Sequence, residues 1–554
     1  MSDARESLRE SRQALGEVFR NRNLRRLNLA FAGSVIGDWA YGVAASVYAY
    51  THGGATAVGA LGVARFVSMA VLSPFAALLA DRFDRKRVMM ASDLVRVVLV
   101  LAAALAISLD GPAIIVYSLA VLTSIASTAF HPALASLMPS LANHPGELTA
   151  ANVASSTIES LGFFVGPAIG GVLLAFTDVS VVYAFNAATF VWSALLVSGL
   201  RPVAAASAAE VEDAAEPKEG SSMLAGVGDG YREIFRNRDI RLLIGLLVAQ
   251  TIVAGASLVF GVAIALDLLE MGDSGVGVLD SALGVGGLLG GLLALVLAQR
   301  GKLARDFGVG IVLWAAPLLI IAAWPTLASA LIAMAIIGIA NSVVDVNAYT
   351  ILQRLVPDEV MGRVFGAMES AVVGGMAIGA LLMPLLISTI GLRSGLVALG
   401  AAVCVLVVPA AAGLRRIDKV ALAPDGLDLI SGVPMLAVLP ENVRERLARR
   451  ATVVSVPSGQ VVFSEGDSGD LFYIIESGTV DVTVRGEFVR TLSTGDSFGE
   501  IALLRDLPRT ATITATSALV TRTIERHRFL PAILGDAESS DQAELVVTRL
   551  FAIR

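Results

Sequence analysis

Long apolar runs separated by short polar connections occupy the first three-quarters of the chain. A helix that crosses a bilayer needs about 20 mostly apolar residues. Runs of this kind lie near 27–50, 56–80, 87–108, 112–137, 150–176 and 180–200, and again near 240–264, 278–298, 307–324, 326–350, 364–390 and 394–413. The pattern therefore predicts an all-α polytopic membrane protein with twelve spans in two sets of six.

The pattern changes abruptly after Lys419. Between residues 430 and 535, short β-rich runs are broken by glycines, and helical segments flank them near 434–450 and 526–553. Short strands with glycine turns are typical of a small antiparallel barrel or sandwich. We therefore expect a C-terminal domain of the β-barrel or jelly-roll class.

Six segments follow from these patterns. They are a cytoplasmic amphipathic N-terminal segment (1–28), the first six-helix half (29–201), a cytoplasmic linker (202–236), the second six-helix half (237–414), a second linker (415–429) and the C-terminal domain (430–554). The composition agrees, because only 16% of the residues are charged, whereas soluble domains carry about 25%. Most of the chain is therefore expected in lipid.

The two halves resemble each other in sequence. Phe19–Leu27 reads FRNRNLRRL and Phe235–Leu243 reads FRNRDIRLL, 235 − 19 = 216 residues later. Each copy leads into the first span of its half. A six-plus-six repeat about the membrane normal is the plan of major facilitator transporters. The chain therefore resembles the major facilitator superfamily, and the resemblance implies its twelve-helix fold.

Basic residues indicate the orientation, because short cytoplasmic loops carry an excess of Lys and Arg. The connections predicted to lie inside carry Arg20, Arg22, Arg25, Arg26, Arg82, Arg85, Lys86, Arg87, Arg232, Arg236, Arg238, Arg300, Lys302, Arg305, Arg415, Arg416 and Lys419. The opposite connections carry almost none. We expect a multi-pass protein of the cell (inner) membrane with both termini in the cytoplasm.

The connection between the second and third spans, residues 77–87, reads ALLADRFDRKR. It resembles the inner-gate signature of the superfamily, although Ala77 and Asp84 replace two of its glycines. The resemblance implies gating roles for Asp81, Arg82, Arg85, Lys86 and Arg87. The resemblance further implies that Asp81 faces the start of the eleventh span near 362–366, and a helix N-terminus stabilises a carboxylate placed there. The alternative for the three basic residues after Asp84 is that they only set the topology.

Residues 162–171 of the fifth span read GFFVGPAIGG. The pattern of Gly162, Gly166, Pro167, Gly170 and Gly171 resembles the motif of the antiporter, or exporter, branch of the superfamily. The segments at 37–39 and 147–152 further resemble drug and siderophore exporters. The resemblance implies efflux by antiport, whereas the alternative is ordinary packing of small residues between helices.

Charged residues inside membrane spans are costly and often functional. The candidates for proton or substrate binding are Asp38, Arg65, Glu159 and Asp345. A carboxylate beside an arginine in a changing cavity is a natural proton site, because water access alters its pKa. The alternative is a buried ion triad that only fixes helix packing. Asp93 and Arg96 are three residues apart on one helix and are expected to form a structural pair.

Residues 498–504 read FGEIALL and residues 508–512 read PRTAT. Together they resemble the phosphate-binding cassette of cyclic-nucleotide-binding domains. The resemblance implies contacts to the nucleotide from Phe498, Gly499, Glu500, Ile501, Ala502, Arg509, Thr510 and Ala511.

The residue types suit this ligand. A helix start offers free backbone N–H groups to a phosphate, and Arg509 can form a charge-assisted pair with it. Glu500 can accept a hydrogen bond from the ribose 2′-hydroxyl, and Thr510 can donate to a phosphate oxygen. We expect cAMP as the regulatory ligand, with cGMP as the other possibility. The alternative is a degenerate domain that binds neither.

The sequence predicts a proton-coupled exporter of a small organic molecule, regulated by a cyclic nucleotide. The alternative is a non-transporting membrane receptor for the nucleotide. No enzyme, metal site, further cofactor or nucleic-acid partner is expected, since the four histidines are dispersed without ligand spacing. The tether over 415–429 reaches at most about 50 Å, so the domain is expected beneath the inner gate.

Overall fold

The computed structural model describes residues 20–142, 145–200, 223–298, 302–356, 360–420, 424–439 and 441–534, with Ser539 and Leu545. Within these ranges only the backbone is described at 73–82, 145–146, 149, 223–229, 295, 298, 419–420 and 441–442. The chain divides into two compact units, Met1–Ala421 and Leu422–Arg554.

The first unit is helical. Its helices are α1 (Arg22–Arg82), α2 (Arg85–Ser108), α3 (Ala113–Ser127), α4 (Phe130–Leu137), α5 (Pro145–Phe176), α6 (Val179–Ser198), α7 (Met223–Arg236), α8 (Arg238–Ala263), α9 (Ser274–Ala298), α10 (Leu303–Ala323), α11 (Leu327–Leu355), α12 (Met361–Ile390) and α13 (Leu392–Val420). A 3-10 turn at Met138–Leu141 follows α4, and a π-helical turn at Ile264–Leu268 follows α8.

The described residues contain 11 helical segments long and apolar enough to cross a membrane. The first, Arg22–Leu72, has 51 residues, or about 76 Å at 1.5 Å per residue, more than twice the bilayer core of about 30 Å. It contains two helices that meet at Gly54, whose φ of 62° is not helical. The predicted plan of two sets of six spans is therefore confirmed.

The repeated segment begins each half in the same way. Asn21 accepts hydrogen bonds from the backbone N–H groups of Asn23 and Leu24, at 3.0 and 3.2 Å. Asn237, 216 residues later, accepts from Asp239 and Ile240 at 3.0 and 3.3 Å. An asparagine side chain satisfies N–H groups that have no partner within the helix. The repeat therefore encodes a helix start at both places.

The two halves contact each other through glycines on two pairs of helices. A Cβ atom on Gly277 of α9 would lie 2.4 Å from the Cα of Gly171 in α5, and one on Gly59 of α1 would lie 2.3 Å from the carbonyl oxygen of Ala380 in α12. Such close backbone approach needs small residues.

The last membrane helix continues beyond its predicted end near residue 413 and includes Arg415 to Val420. Arg416 donates to the Asp239 carboxylate of α8, and the Asp418 carboxylate accepts from the backbone N–H of Ala304 in α10 at 2.7 Å. These polar partners allow the helix to extend past the apolar run, into the predicted linker.

Part of the other predicted linker, 202–236, is also helical. Helix α7 packs on α12, where a Cβ on Gly230 would lie 2.1 Å from the carbonyl oxygen of Arg363. Ile234 on this helix is 4% exposed. An apolar face that packs on a neighbouring helix explains why this polar segment is ordered.

The second unit is a β-roll with flanking helices. Its elements are α14 (Leu427–Gly432), α15 (Pro434–Ala437), α16 (Glu441–Arg450), β1 (Thr452–Val456), β2 (Val461–Phe463), β3 (Leu471–Ser477), β4 (Val480–Val484), β5 (Glu487–Leu492), β6 (Ser497–Phe498), α17 (Glu500–Arg505), β7 (Thr512–Ala515), β8 (Leu519–Glu525) and α18 (Arg526–Leu534).

Two antiparallel four-stranded sheets form the roll, in the orders β1-β8-β3-β6 and β2-β7-β4-β5. Phe472 of β3 stacks on Phe529 of α18 with ring centroids 4.5 Å apart, and both rings are buried. This contact holds α18 on the first sheet. The predicted class of the C-terminal domain is confirmed.

Candidate functional site

The segment from Phe498 to Arg505 forms a tight turn followed by a short helix. Gly499 has a φ of 91° and precedes α17 directly. A side chain at this position would be strained, and its Cβ would lie 2.6 Å from Nη1 of Arg509. Glycine is therefore required both for the turn and for the approach of the arginine.

Arg509 is held inside the roll. It is 4% exposed, and it donates to the carbonyl oxygens of Gly499 and Leu471 at 3.0 and 2.8 Å. Its Nε has no hydrogen-bond partner among the described residues. Burial lowers the pKa of the guanidinium from its ordinary value, because a charged group loses hydration there.

Glu500 begins α17 and is 4% exposed. Burial raises the pKa of its carboxyl group from 4.5 to about 7, and the positive charges of Arg490 and Arg509 offset only part of this effect. Its Oε2 atom has no hydrogen-bond partner within the described ranges. An acid buried with a free acceptor atom is costly unless a ligand supplies a donor.

One cavity brings the predicted residues together. It is lined by Phe463, Val482, Val484, Val489, Arg490, Leu492, Phe498, Gly499, Glu500, Ile501, Ala502, Arg509, Thr510, Ala511 and Ile513. All eight residues of the predicted cassette therefore border the same space. Strands β4, β5 and β7 supply apolar side chains opposite the charged ones.

The sequence did not single out Arg490, Phe463 or Leu471. Arg490 lines the cavity from β5, and the Arg509 guanidinium lies 4.2 Å from the ring centroid of Phe463. Leu471 contributes only its backbone carbonyl, which no side-chain pattern can indicate. A basic residue in a β-rich segment gives no local signal of which face it occupies.

The donor and acceptor set fits a cyclic nucleotide. A free N–H on a buried guanidinium suits a phosphate oxygen. A buried carboxylate oxygen without a donor suits a ribose hydroxyl. The apolar side chains of Val482, Val484 and Leu492 offer a surface for a flat base.

A second polar cluster lies in the first six-helix half. Arg96 is 1% exposed, and its guanidinium contacts Asp93 at 2.5 Å and Asp38 at 3.3 Å. The rings of Phe190 and Phe130 lie 4.0 and 4.9 Å from its central carbon. The expected Asp93–Arg96 pair is confirmed, and Arg96 also holds Asp38, which the sequence had grouped with Arg65.

Among the described residues, neither of the other two members of the predicted triad forms a hydrogen bond or an ion pair with Asp38. Arg65 donates from Nε to the hydroxyl of Ser124 at 2.9 Å. Glu159 is exposed on α5. Asp38 itself keeps 42% of its side chain exposed, whereas Asp93 is completely buried. Asp38 is therefore the accessible acid of the cluster, and Arg96 is the partner that sequence reasoning missed.

A third polar chain runs along α11 in the second half. Trp314 donates to the side-chain oxygen of Asn341 at 3.0 Å, and Asn341 donates to Asp345 at 3.0 Å. One turn further, Tyr349 donates to Glu369 of α12 at 2.5 Å. Asp345 is exposed on this face. The predicted candidate Asp345 thus belongs to a hydrogen-bonded chain that joins α10 and α11, one helical turn from the Tyr349–Glu369 pair that joins α11 to α12.

The side chains of Asp81 and Arg82 lie outside the described residues. Arg85 donates to the carbonyl of Ser136 at 2.9 Å, and Lys86 donates to the carbonyl of Leu200 at 2.8 Å. Both carbonyls end helical segments, where a positive charge is favourable. Arg87 is exposed, and its backbone N–H bonds to Asp84, which caps α2. The predicted gating role of these residues stays a prediction.

The glycines of the fifth span pack closely on α1. Cβ atoms on Gly162, Gly166 and Gly170 would lie 2.3 Å from Val35, 2.4 Å from Trp39 and 2.9 Å from the carbonyl oxygen of Ala40. Gly171 faces α9 of the other half. Pro167 lies inside α5. This geometry accounts for small residues at these places, and the antiporter assignment stays a prediction.

Comparison with known families gives two matches. The Major Facilitator Superfamily profile matches residues 27–306 and 276–463, and the cyclic nucleotide-binding domain profile matches residues 453–536. Together they match residues 27–536, which lie in both units of the chain.

Two solved transporters have a similar fold. A POT family transporter in complex with a thioalcohol conjugated peptide has a TM-score of 0.56 at 14% identity, covering 72% of this chain and 96% of that chain. The nucleoside transporter NupG has a TM-score of 0.58 at 13% identity, covering 71% of this chain and 100% of that chain. At such identities the likeness concerns the fold alone.

A curated relative is similar over a shorter region. The cAMP-dependent protein kinase regulatory subunit of Yarrowia lipolytica is 43% identical over 114 residues. This match covers 20% of this chain and 30% of that protein. The chain therefore spans less than a third of the relative's length.

Proposed function

Because this chain belongs to the Major Facilitator Superfamily and carries a C-terminal cyclic nucleotide-binding domain, we propose that it is a secondary active transporter regulated by a cyclic nucleotide. The proposed transport reaction is proton-coupled export of a small organic molecule. The proposed location is the cell (inner) membrane, with both termini in the cytoplasm. Neither family is a catalytic one.

The observation that carries the regulatory part is the pairing of two buried, incompletely satisfied charges in one cavity. Arg509 retains a free Nε and Glu500 a free Oε2, and both line the same space. Burying such atoms without partners costs about 1–3 kcal/mol each. A ligand with an anionic phosphate and a neighbouring hydroxyl removes both costs.

We take cAMP as the first candidate ligand, because the similar regulatory subunit is named cAMP-dependent. Arg509 would bind the cyclic phosphate, and Glu500 would accept from the 2′-hydroxyl. Ile501, Ala502 and Thr510 border the same cavity and would complete the polar contacts. cGMP shares the phosphate and the ribose, so these contacts do not distinguish the two nucleotides.

Asp38 supports the proton-coupled part of the proposal. It is the accessible member of a cluster in which one arginine contacts two carboxylates. Because Asp38 shares Arg96 with Asp93 and remains accessible, a change in water access can make it bind or release a proton. Glu159 and Asp345 are exposed acids on α5 and α11, and they are the further candidates for proton or substrate contacts.

Export is the proposed direction. It rests on the resemblance of the glycine–proline pattern in α5 to the antiporter branch, whereas the close packing of these glycines on α1 and α9 also fits the alternative, a purely structural role. Regulation follows from linkage. A nucleotide that binds one transport state more tightly shifts the population towards that state, and the transport state then alters nucleotide affinity by the same factor.

The decisive experiment is calorimetry on the full chain in lipid nanodiscs, with cAMP, cGMP and 5′-AMP as ligands. We expect binding of a cyclic nucleotide and none of 5′-AMP. A chain that binds neither cyclic nucleotide would contradict the regulatory proposal.

Transport is tested separately in sealed vesicles that carry a proton gradient reported by a pH-sensitive dye. A panel of organic compounds is added, and a transported compound dissipates the gradient. Nucleotide binding without any compound-dependent proton movement would favour the alternative, a non-transporting receptor.

A further inference from the structure

Arg522 on β8 has a set of contacts that cyclic nucleotide binding does not use. It is 8% exposed, and it lies in the central part of the first sheet, opposite Val453 of β1 and Ile474 of β3. Its Nε lies 2.9 Å from a carboxylate oxygen of Glu476, also on β3. A buried guanidinium with one carboxylate partner still has donors to satisfy.

The remaining contact reaches the segment that follows the last membrane helix. Nη1 of Arg522 donates to the backbone carbonyl of Asp425 at 2.7 Å. The next residue, Gly426, has a φ of 83°, and a Cβ atom there would lie 2.3 Å from Nε of Arg522. The turn therefore depends on Gly426 and on Arg522. Glycine permits the conformation and leaves room for the guanidinium, and the guanidinium binds the Asp425 carbonyl.

This turn stands between two helices. Helix α13 ends at Val420, and α14 begins at Leu427, where the N–H of Ile430 bonds to the carbonyl of Gly426 at 3.1 Å. Only residues 421–426 separate the two helices. The position of the Asp425–Gly426 turn thus sets where the chain enters the second unit.

The same strand also holds the nucleotide arginine. Leu471, the first residue of β3, accepts from Arg509 at 2.8 Å, and Glu476, five residues along that strand, pairs with Arg522. Strands β3 and β8 are joined by a continuous antiparallel ladder from Leu471–Glu525 to Ile475–Thr521. A change at Arg509 therefore acts on a rigid element that Arg522 also contacts.

We propose that Arg522 is a positioning residue that transmits nucleotide occupancy from β3 to the Asp425–Gly426 turn, and through it to the end of α13. The inference rests on the proposed function, since it needs a nucleotide that binds at Arg509. A ligand phosphate that binds the free Nε of Arg509 shifts a guanidinium whose other donors bind the Leu471 and Gly499 carbonyls. This shift acts on Leu471 at the start of β3, and the Glu476–Arg522 pair carries the change to the turn.

The test uses hydrogen–deuterium exchange on the full chain in nanodiscs, with and without saturating cAMP, and with cGMP in parallel. The variant is Arg522→Lys, which keeps the charge but cannot donate to Glu476 and Asp425 in one planar fork. The matched control is Arg528→Lys, because Arg528 pairs with Glu525 at a more exposed place, with 32% of its side chain accessible.

In the wild type we expect nucleotide to change exchange at 424–430 and in the last turns of α13. Arg522→Lys should still bind nucleotide but lose the change in α13, and Arg528→Lys should behave as the wild type. If Arg522 had only a structural role, Arg522→Lys would raise exchange equally with and without nucleotide. An intact α13 response in Arg522→Lys would therefore overturn the inference.

Two further outcomes separate this inference from the proposed function. If the wild type binds no cyclic nucleotide, the proposed function fails and the inference fails with it. If the wild type binds but α13 does not respond, only the inference fails. Should Arg522→Lys not fold, Glu476→Gln replaces it, because Glu476 is a third exposed. A full α13 response in Glu476→Gln would equally overturn the inference.

Discussion

The guanidinium of Arg509 lies over the ring of Phe463, 4.2 Å from its centroid. The stacking fixes the plane of the fork, while two carbonyl contacts hold its ends. A lysine would keep the charge but lose both the stacking and the fork geometry.

We therefore expect Arg509→Lys to weaken binding of the cyclic nucleotide strongly. A hydrogen bond to a charged group contributes about 1.5–3 kcal/mol, so affinity should fall about tenfold to a hundredfold. Calorimetry on the full chain measures the change, with Arg528→Lys as the control. Equal nucleotide affinity in Arg509→Lys and the control would mean that Arg509 does not bind the nucleotide.

The buried carboxyl of Glu500 predicts a pH dependence. Because burial raises its folded-state pKa from 4.5 to about 7, the folded domain binds more protons than the unfolded chain between these values. The contribution of Glu500 to the free energy of unfolding is fully present below about pH 4.5 and is lost as the pH rises through about 7. A 2′-hydroxyl that donates to the ionised carboxylate should lower the pKa and release a proton on binding.

Proton release is measured near pH 6 by calorimetry in two buffers that differ in ionisation enthalpy. The wild type should release protons when cAMP binds, and its affinity should rise with pH up to about 7. Glu500→Gln should show neither effect. Identical buffer dependence in the two proteins would assign the released proton to another group.

Neutralising Asp38 should separate coupling from folding. In Asp38→Asn, Arg96 keeps its buried partner Asp93 at 2.5 Å, so the helices should still assemble. We expect loss of compound-dependent proton movement in vesicles at a normal expression level. The control is Asp273→Asn, since Asp273 is exposed outside the helices. Wild-type proton movement in Asp38→Asn would make the cluster purely structural.

The contact between α5 and α9 predicts an unusual sensitivity to a single methyl group. Gly277→Ala adds a Cβ 2.4 Å from the Cα of Gly171, whereas Gly291→Ala on the same helix meets no atom of the described residues within 4 Å. Overpacking of this kind costs about 1–3 kcal/mol. Gly277→Ala should therefore melt at a lower temperature than Gly291→Ala in the same detergent. Equal melting temperatures would mean that the contact between α5 and α9 tolerates the added methyl group.

The sequence predicted the fold well where a residue pattern has only one structural explanation. Runs of apolar residues define membrane spans because the bilayer has a fixed thickness, and the repeated Asn21 and Asn237 define helix starts because each caps free N–H groups. The cassette was predictable because its residues are close in sequence and because the φ of 91° at Gly499 is a conformation that glycine adopts without strain.

The polar clusters were less predictable because they join distant helices. Asp38 and Arg65 lie at similar depths in their helices, yet Asp38 contacts Arg96 of α2 and Arg65 contacts Ser124. Depth in the membrane follows from sequence position, but the face that a residue presents depends on helix rotation. The length of α13 was underestimated for a related reason, since the partners of Arg416 and Asp418 lie on other helices.

The duplicated cap has a consequence for how the protein can be made. Asn21 and Asn237 each cap the first helix of their own half. The initial helix of the second half therefore does not depend on the first half for its N-terminal hydrogen bonds. Two polypeptides, divided between Leu200 and Met223 and synthesised from separate messages, should insert independently and reassemble in the membrane. Co-purification of the pieces would then provide a protein in which each half can be labelled, mutated or isotopically enriched on its own.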